Sequence, residues 1–428
     1  MTLLDELSWR GLLHQQTHDT LGDALEKEPL TLYCGFDPTA DSLHVGSLVP
    51  IIGLMHFQRA GHRPIVLVGG GTGLIGDPSF KAAERALLTR EQVEANVAGI
   101  RAQLERFIDF DGGNGAILRN NIDWLGSLYF IDFLRDVGKH FSVNAMLAKE
   151  SVRQRLEDRD HGISYTEFTY SLLQAYDYLQ LNEEYDCRLQ IGGSDQWGNI
   201  VAGMDLTRRI RGAETFGLTL PLVTKSDGSK FGKSESGNIW LDPARTSPYK
   251  FYQFWLNQAD ADAARYLKYF TFLPRETIGE YEAQIAAEPH KRAAQRRLAE
   301  EVTRLVHGET ALENAIKASG AMFGGELAGL DEATLAELFS EVPSSTLDAD
   351  ILAGDRPLLD VLVEAGIFAS KGEARRMVKS GGLYLNNLRI DAEDARLDRS
   401  SLLTGGMAVV RKGKKHYHLL RFLPGGGA

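Results

Sequence analysis

The stretch LYCGFDPTADSLHVGS, Leu32 to Ser47, decides how the rest of the chain is read. Leu32 to Cys34 is apolar and strand-like, Gly35 to Pro38 is a tight turn, and Thr39 leads on to His44, Val45, Gly46 and Ser47. From Ser47 to Arg59 the apolar pattern is helical. A strand that ends in a glycine turn and hands a histidine to the first turn of a helix builds an anion site from backbone N–H groups. Far downstream, Lys230, Phe231, Gly232, Lys233 and Ser234 supply the cationic charge that such a site lacks. Together the two stretches suggest a polyphosphate clamped from two sides.

Working outward, Ile65 to Val68 is a short apolar run before Gly69, Gly70 and Gly71, as expected of a buried parallel strand. Arg90 to Phe107 carries Val93, Val97, Ile100, Leu104 and Phe107 at helical spacing. Strand and helix in alternation predict an α/β fold, a Rossmann-like doubly wound parallel sheet, with ligand where the carboxyl ends of the strands open. This catalytic domain is expected at residues 1–245. Alanine, leucine, glutamate and arginine then dominate, which predicts an all-helical domain at 246–340. Residues 341–357, with Pro343, Ser344, Ser345, Gly354 and Pro357, read as a linker. Residues 358–428 read as a small α+β module, in which Asn386 and Asn387 suit a two-residue hairpin turn.

The chain has 428 residues, 43% of them hydrophobic, and a formal net charge of −11. That charge argues against indiscriminate coating of nucleic acid, yet it is unevenly spread. From Arg356 onward there are 13 Lys+Arg against 7 Asp+Glu, while residues 1–355 carry 34 against 51. The last module therefore faces something anionic. No run of apolar residues is long enough for a membrane span and no signal peptide is evident, so a cytoplasmic protein is expected. The two cysteines, Cys34 and Cys187, form no Cys-x-x-Cys pair, and no protein-bound metal site is predicted.

Gly71 to Gly76 satisfies G-x-G-x-x-G, which raises a nicotinamide-dependent dehydrogenase as an alternative. Asp77 and Pro78 follow at once, where that motif needs a helix to open, so a tight turn lining a pocket fits better. The phosphate-gripping G-x-x-x-x-G-K-[ST] string is absent. Lys225, Lys230 and Lys233 lie among serines and glycines, a composition that describes either solvated surface or a lid. Tyr170, Gln174 and Asp177, at i, i+4 and i+7, share one face of a helix that is otherwise apolar, so this polar stripe faces a pocket. Gly192, Gly193, Ser194, Asp195 and Gln196 mark another strand end.

With these residues in place, the chain resembles the bacterial tyrosyl-tRNA synthetases, a family of class I aminoacyl-tRNA synthetases, from about residue 30 to about 423. His44 to Ser47 stands where the family has its HIGH motif, with Ser47 replacing the final histidine, and Lys230 to Ser234 stands where it has KMSKS. The resemblance implies that ATP, with Mg2+, and tyrosine form tyrosyl-adenylate, and that the tyrosyl group then passes to the 3′ end of tRNA(Tyr). It implies that Tyr33 and Asp177 contact the phenolic hydroxyl, that Tyr170, Gln174 and Asp77 hold the ammonium group, and that Gln196 lies at the carboxylate. Cys34, Gly192 and Asp195 would meet the ribose, and Gly35, Asp37, Gly46 and Ser47 would complete the ATP site. Thr39, His44, Lys230 and Lys233 would hold the β and γ phosphates, helped by Lys81 and Arg85. Phenol against indole separates this reading from tryptophanyl-tRNA synthetase, the nearest alternative. The last module resembles an S4 RNA-binding domain, which would grip RNA through Lys371, Arg375, Arg376, Lys379, Arg411, Lys412, Lys414 and Lys415. The family further implies a homodimer.

Overall fold

The computed structural model describes residues 1–77, 87–149, 152–153, 156, 163–228, 231–234, 237–322, 324–353, 356–413 and 416–423. Lys81, Arg85, Lys230, Lys414 and Lys415 lie outside the described residues. The chain divides into two compact units, one formed by residues 1–246 and 254–306, the other by 247–253 and 307–428.

The first unit is built on a six-stranded sheet in the order β1-β6-β5-β2-β3-β4. Its strands are β1 (Gln15–Gln16), β2 (Thr31–Phe36), β3 (Arg63–Val68), β4 (Ile117–Asn120), β5 (Cys187–Gly193) and β6 (Phe216–Leu220). All pair in parallel except β1, which runs antiparallel to β6. From β2 the chain winds outward through β3 and β4, then returns to place β5 and β6 on the other side. The neighbours β2 and β5 therefore flank a topological switch point, the place where an open α/β sheet leaves a crevice.

Local chemistry explains the elements. Val45–Ser47 forms a 3-10 turn that feeds the helix Leu48–Arg59, and Pro50 sits in its first turn, where its missing N–H is not needed. Nine of the twelve residues of this helix are buried, because it is covered by the sheet and by the helix Asp260–Phe270. A helix that is apolar nearly all round belongs in such a place. The predicted helix at 90–107 runs Arg90–Leu104, opened by a capping box between Thr89 and Gln92.

Residues 248–338 are helical, as expected, but their helices are shared between the two units and do not form one separate domain. The physical reason lies in what residues 254–306 pack on. The buried Arg10 guanidinium donates to the carbonyls of Lys268, Thr271 and Leu273, and Tyr266 Oη donates to the carbonyl of Thr224. Phe231 stacks on Phe270 with ring centroids 5.4 Å apart and meets Phe254 and Trp255 edgewise or tilted.

The second unit carries a five-stranded sheet in the order β11-β10-β12-β13-β9. Its strands are β9 (Ser344–Asp348), β10 (Leu383–Leu385), β11 (Leu388–Arg389), β12 (Met407–Lys412) and β13 (His416–Leu423). Here the linker expectation is corrected: Ser344 to Asp348 pair in parallel with Leu419 to Leu423, since an extended polar segment suits an edge strand as well as a tether. Side chains alternate across this sheet. Ala408, Val410, Leu420 and Phe422 face a core with the helices Leu358–Glu364 and Lys371–Lys379. Met407, Val409, Tyr417 and Leu419 face another core, with Ala318, Leu335 and Phe339. The predicted hairpin turn is present, with φ of 51° at Asn386 and 63° at Asn387.

Candidate active site

A cavity of about 500 Å³ opens at the switch point, lined by the ends of β2 and β5 and by the helix Tyr165–Tyr185. It brings together Tyr33, Cys34, Gly35, Asp37, Thr39, His44, Gly46, Ser47, Asp77, Tyr170, Gln174, Asp177, Gly192, Asp195 and Gln196, all of them residues singled out by sequence.

At its floor, Tyr33 is 1% exposed and its hydroxyl has no hydrogen-bond partner. Asp177 is buried and held from both sides, accepting from Trp124 Nε1 at 2.8 Å and from Asn121 Nδ2 at 3.0 Å. Burial pushes the Asp177 carboxyl up to about 7, and the two donated hydrogen bonds work against that rise. One wall is carboxylate-rich. Tyr170 Oη donates to Asp37 at 3.0 Å, Thr72 Oγ1 donates to the other oxygen of Asp37 at 2.9 Å, and Gln196 Nε2 donates to Asp77 at 2.8 Å and Asp195 at 3.1 Å. Gln174 presents a buried side-chain oxygen without a partner. The Cys34 thiol is pushed up to about 12, first by burial and then by Asp195, so it stays protonated and is no nucleophile.

The opposite end holds the segment in which the sequence places an anion site. His44 Nδ1 accepts from the Gly46 N–H at 3.0 Å, which assigns the ring proton to Nε2 and leaves that atom free to donate. Desolvation by the surrounding segment lowers the pKa of His44, although the residue itself is exposed at the mouth of the cavity. A side chain at Gly46 would press on the imidazole, its Cβ 2.8 Å from His44 Cε1. The lysine-bearing loop reaches this same place. Gly232, at φ +79°, lies so close that a Cβ there would stand 2.8 Å from Val45 Cγ2. The Val45 and Leu241 N–H groups donate to Ile239 and Leu43 carbonyls, and Ile239 N–H donates back to Gly232. Lys233, exposed, lies in β7 (Lys233–Ser234), paired with β8 (Gly237–Asn238).

Several cavity residues escaped the sequence reading. Asn121 follows β4, a strand whose short run Ile117–Asn120 was not recognised. Asn120 and Asn121 accept from the N–H groups of Gly70 and Gly71, clamping the glycine turn. Gln190 lies opposite Tyr33 in the β2–β5 register, and its buried side-chain oxygen has no partner. Outside the residues that line the cavity, Lys149 Nζ is buried without a hydrogen-bond partner, and desolvation lowers it to about 8 against the pull of Asp77.

In the second unit, Lys371, Arg375 and Lys379 stand one turn apart on the exposed face of the helix Lys371–Lys379, with Arg376 beside them, and they pair with Asp360 or Glu393. Arg411 and Lys412 are engaged within the unit. Arg411 lies 3.7 Å over the Tyr384 ring and donates to Asn387 and Gly413, while Lys412 Nζ donates to the Ile367 carbonyl.

A sheet with its cavity at the switch point, a histidine at the start of a helix and a lysine-bearing hairpin beside it are the geometry of an α/β enzyme, and the comparisons give its class. The sequence matches the family described as tRNA synthetases class I (W and Y) over residues 25–324, and the Tyrosine--tRNA ligase SYY-like C-terminal domain over 334–420. It is 56% identical over 424 residues to the tyrosine--tRNA ligase of Roseiflexus castenholzii, covering 99% of this chain and 100% of that one. It is 57% identical over 425 residues to the tyrosine--tRNA ligase of Geobacillus kaustophilus, with the same coverage. Among solved structures, a C-terminally truncated mitochondrial tyrosyl-tRNA synthetase of Aspergillus nidulans is similar at TM-score 0.67 and 31% identity, covering 73% of this chain and 92% of that one. The chain belongs to the class I tRNA synthetases, and within them to the tyrosine–tRNA ligases.

Proposed function

We propose that this protein joins tyrosine to tRNA(Tyr) in two steps, forming tyrosyl-adenylate and pyrophosphate from tyrosine and ATP, then passing the tyrosyl group to the 3′ end of the RNA. The tyrosine carboxylate is already a nucleophile, so no general base is needed for the first step. What limits the reaction is negative charge gathering on phosphorus, and the chain's part is to align the reactants and stabilise that charge. His44 Nε2–H, Thr39 and the N–H groups before the helix Leu48–Arg59 donate to the β and γ phosphates. Lys233 and Lys230 close over the same oxygens, with Lys81 and Arg85 assisting, and Mg2+ enters with the triphosphate as substrate. Cys34, Gly35, Asp37, Gly46, Ser47, Gly192 and Asp195 complete the nucleotide site.

At the floor, Asp177 accepts a hydrogen bond from the phenolic hydroxyl and Tyr33 completes the pair. Tyr170, Gln174 and Asp77 take the ammonium group, and Gln196 borders the carboxylate. The observation that carries this reading is the unpartnered, buried Tyr33 hydroxyl in the same cavity as Asp177. Refusal of phenylalanine without an editing site is a general property of tyrosine enzymes and not a deduction from this cavity. ATP–pyrophosphate exchange measured with each amino acid tests the proposal, and exchange with tryptophan but not tyrosine would overturn it.

The basic helix with Lys371, Arg375, Arg376 and Lys379, together with Arg411, Lys412, Lys414 and Lys415, grips the phosphates and shape of the tRNA. A homodimer is supported by Tyr129, Phe130 and Ile131, which are 78%, 65% and 70% exposed in succession and which a second copy would cover. Among the described residues no helix is long and apolar enough to cross a membrane, and the place of action proposed for this chain is the cytoplasm. A monomer by analytical ultracentrifugation at micromolar concentration would remove the dimer from this reading.

A further inference from the structure

Trp240 closes a ring of contacts around the histidine of the anion site. Its backbone forms an antiparallel bridge with His44, flanked by the hydrogen bonds from Val45 to Ile239 at 3.0 Å and from Leu241 to Leu43 at 2.8 Å. Its N–H is fixed by Thr246 Oγ1 at 3.0 Å. Its indole meets the imidazole edgewise, with centroids 6.3 Å apart and planes at 67°, and both side chains line the cavity. The Arg245 guanidinium lies 4.7 Å from the indole centroid and is ion-paired with Asp41 at 2.5 Å. Asp41 precedes His44 by one turn of chain, so the circuit Asp41, Arg245, Trp240, His44 returns to its start.

The geometry of the imidazole shows why this circuit matters. The bond from Gly46 N–H to Nδ1 anchors one end of the ring but leaves the donating Nε2 end free to tilt. An aromatic edge against the ring removes that tilt, and a cation over an indole holds the indole in turn. We propose that Trp240, braced by Arg245 and Asp41, is a positioning residue that sets the His44 imidazole for adenylate formation. The proposal rests on the assignment of His44 to the triphosphate made above.

The test is pyrophosphate exchange by the full chain, with kcat and KM measured for Trp240→Ala, Trp240→Phe and Arg245→Gln, each alone and combined with His44→Ala. Trp240→Ala is expected to lower kcat on the order of tenfold, the scale of a slightly misplaced catalytic group, with KM for tyrosine unchanged. Trp240→Phe, which keeps an aromatic edge, is expected to restore most of that loss. In the His44→Ala background, Trp240→Ala is expected to cost almost nothing further, because the group it positions is gone. The same tenfold loss in that background overturns the proposal. So does a defect confined to transfer onto tRNA, which would make the indole a stacking shelf for an RNA base. Full exchange by His44→Ala removes the histidine's assignment itself, and this proposal with it. Arg245→Gln lies at the surface and serves if Trp240→Ala does not fold: a smaller loss, again absent without His44, supports the bracing, and no loss overturns it.

Discussion

Tyr33→Phe removes a single oxygen atom and separates two consequences that are usually confounded. In the free protein that hydroxyl is buried without a partner, and a buried unsatisfied polar group costs about 1–3 kcal/mol. The ring itself is well placed, edge to face with Tyr178 at 5.2 Å, and phenylalanine keeps that contact. The variant is therefore expected to be more stable than the parent by about 1 kcal/mol, a rise in Tm of about 2 °C. Bound tyrosine would lose one hydrogen bond with a net worth of about 0.5–1.5 kcal/mol, so its Kd is expected to rise about 2- to 12-fold. Phenylalanine, which offers no hydroxyl, is expected to bind as before, so discrimination falls by the same factor. Differential scanning calorimetry of the ligand-free chain and equilibrium dialysis with labelled tyrosine measure both halves. A lower Tm together with unchanged tyrosine affinity would refute the reasoning, because it would make the hydroxyl a structural group with no part in recognition.

Lys233→Ala is expected to leave tyrosine binding nearly unchanged while lowering the adenylation rate, since its ammonium is proposed to act on charge that peaks in the transition state; equal losses in binding and rate would contradict this. Asp177 has a folded pKa of about 7, above its unfolded value, so its contribution to stability is complete below the unfolded pKa and is lost as pH rises through about 7. Tyrosine binding, which uses the ionised acceptor, should tighten over the same interval, and titration of Kd against pH with Asp177→Asn as the flat control checks the opposed signs. Removal of residues 343–428 strips β12 and β13 from the core that holds Ala318, Leu335 and Phe339. That truncated chain should retain pyrophosphate exchange, lose tRNA charging and aggregate on warming, as light scattering would show.

The sheet and the cavity were legible because their signals are local. The run Ile65–Val68 is buried on both faces, and the turns after β2, β3 and β5 put their polar residues at strand ends. Tyr170, Gln174 and Asp177 were legible because a polar stripe on an otherwise apolar helix has few other uses. What stayed hidden depends on contacts between distant segments. Asn121 and Trp124 hold Asp177 from a strand end 53 to 56 residues away, and nothing in their own neighbourhood advertises that role. Arg10 looks like any charged residue of an amphipathic helix, yet its guanidinium is buried on carbonyls some 260 positions downstream. Residues 344–348 show composition without alternation, and only their partner strand reveals them as sheet. The contacts that Arg411 makes with the Tyr384 ring and Lys412 with the Ile367 carbonyl are likewise invisible in one dimension.

The C-terminal sheet has unlike tenants on its two sides: Ala408 and Val410 of β12 belong to one interior, Met407 and Val409 to the other. Sliding that strand by a single residue would send the methionine where an alanine belongs and leave a void behind it, a mismatch in both interiors at once. Pairing of this strand is thus policed twice, and misaligned forms during folding carry a double penalty that a half-solvated sheet would not impose.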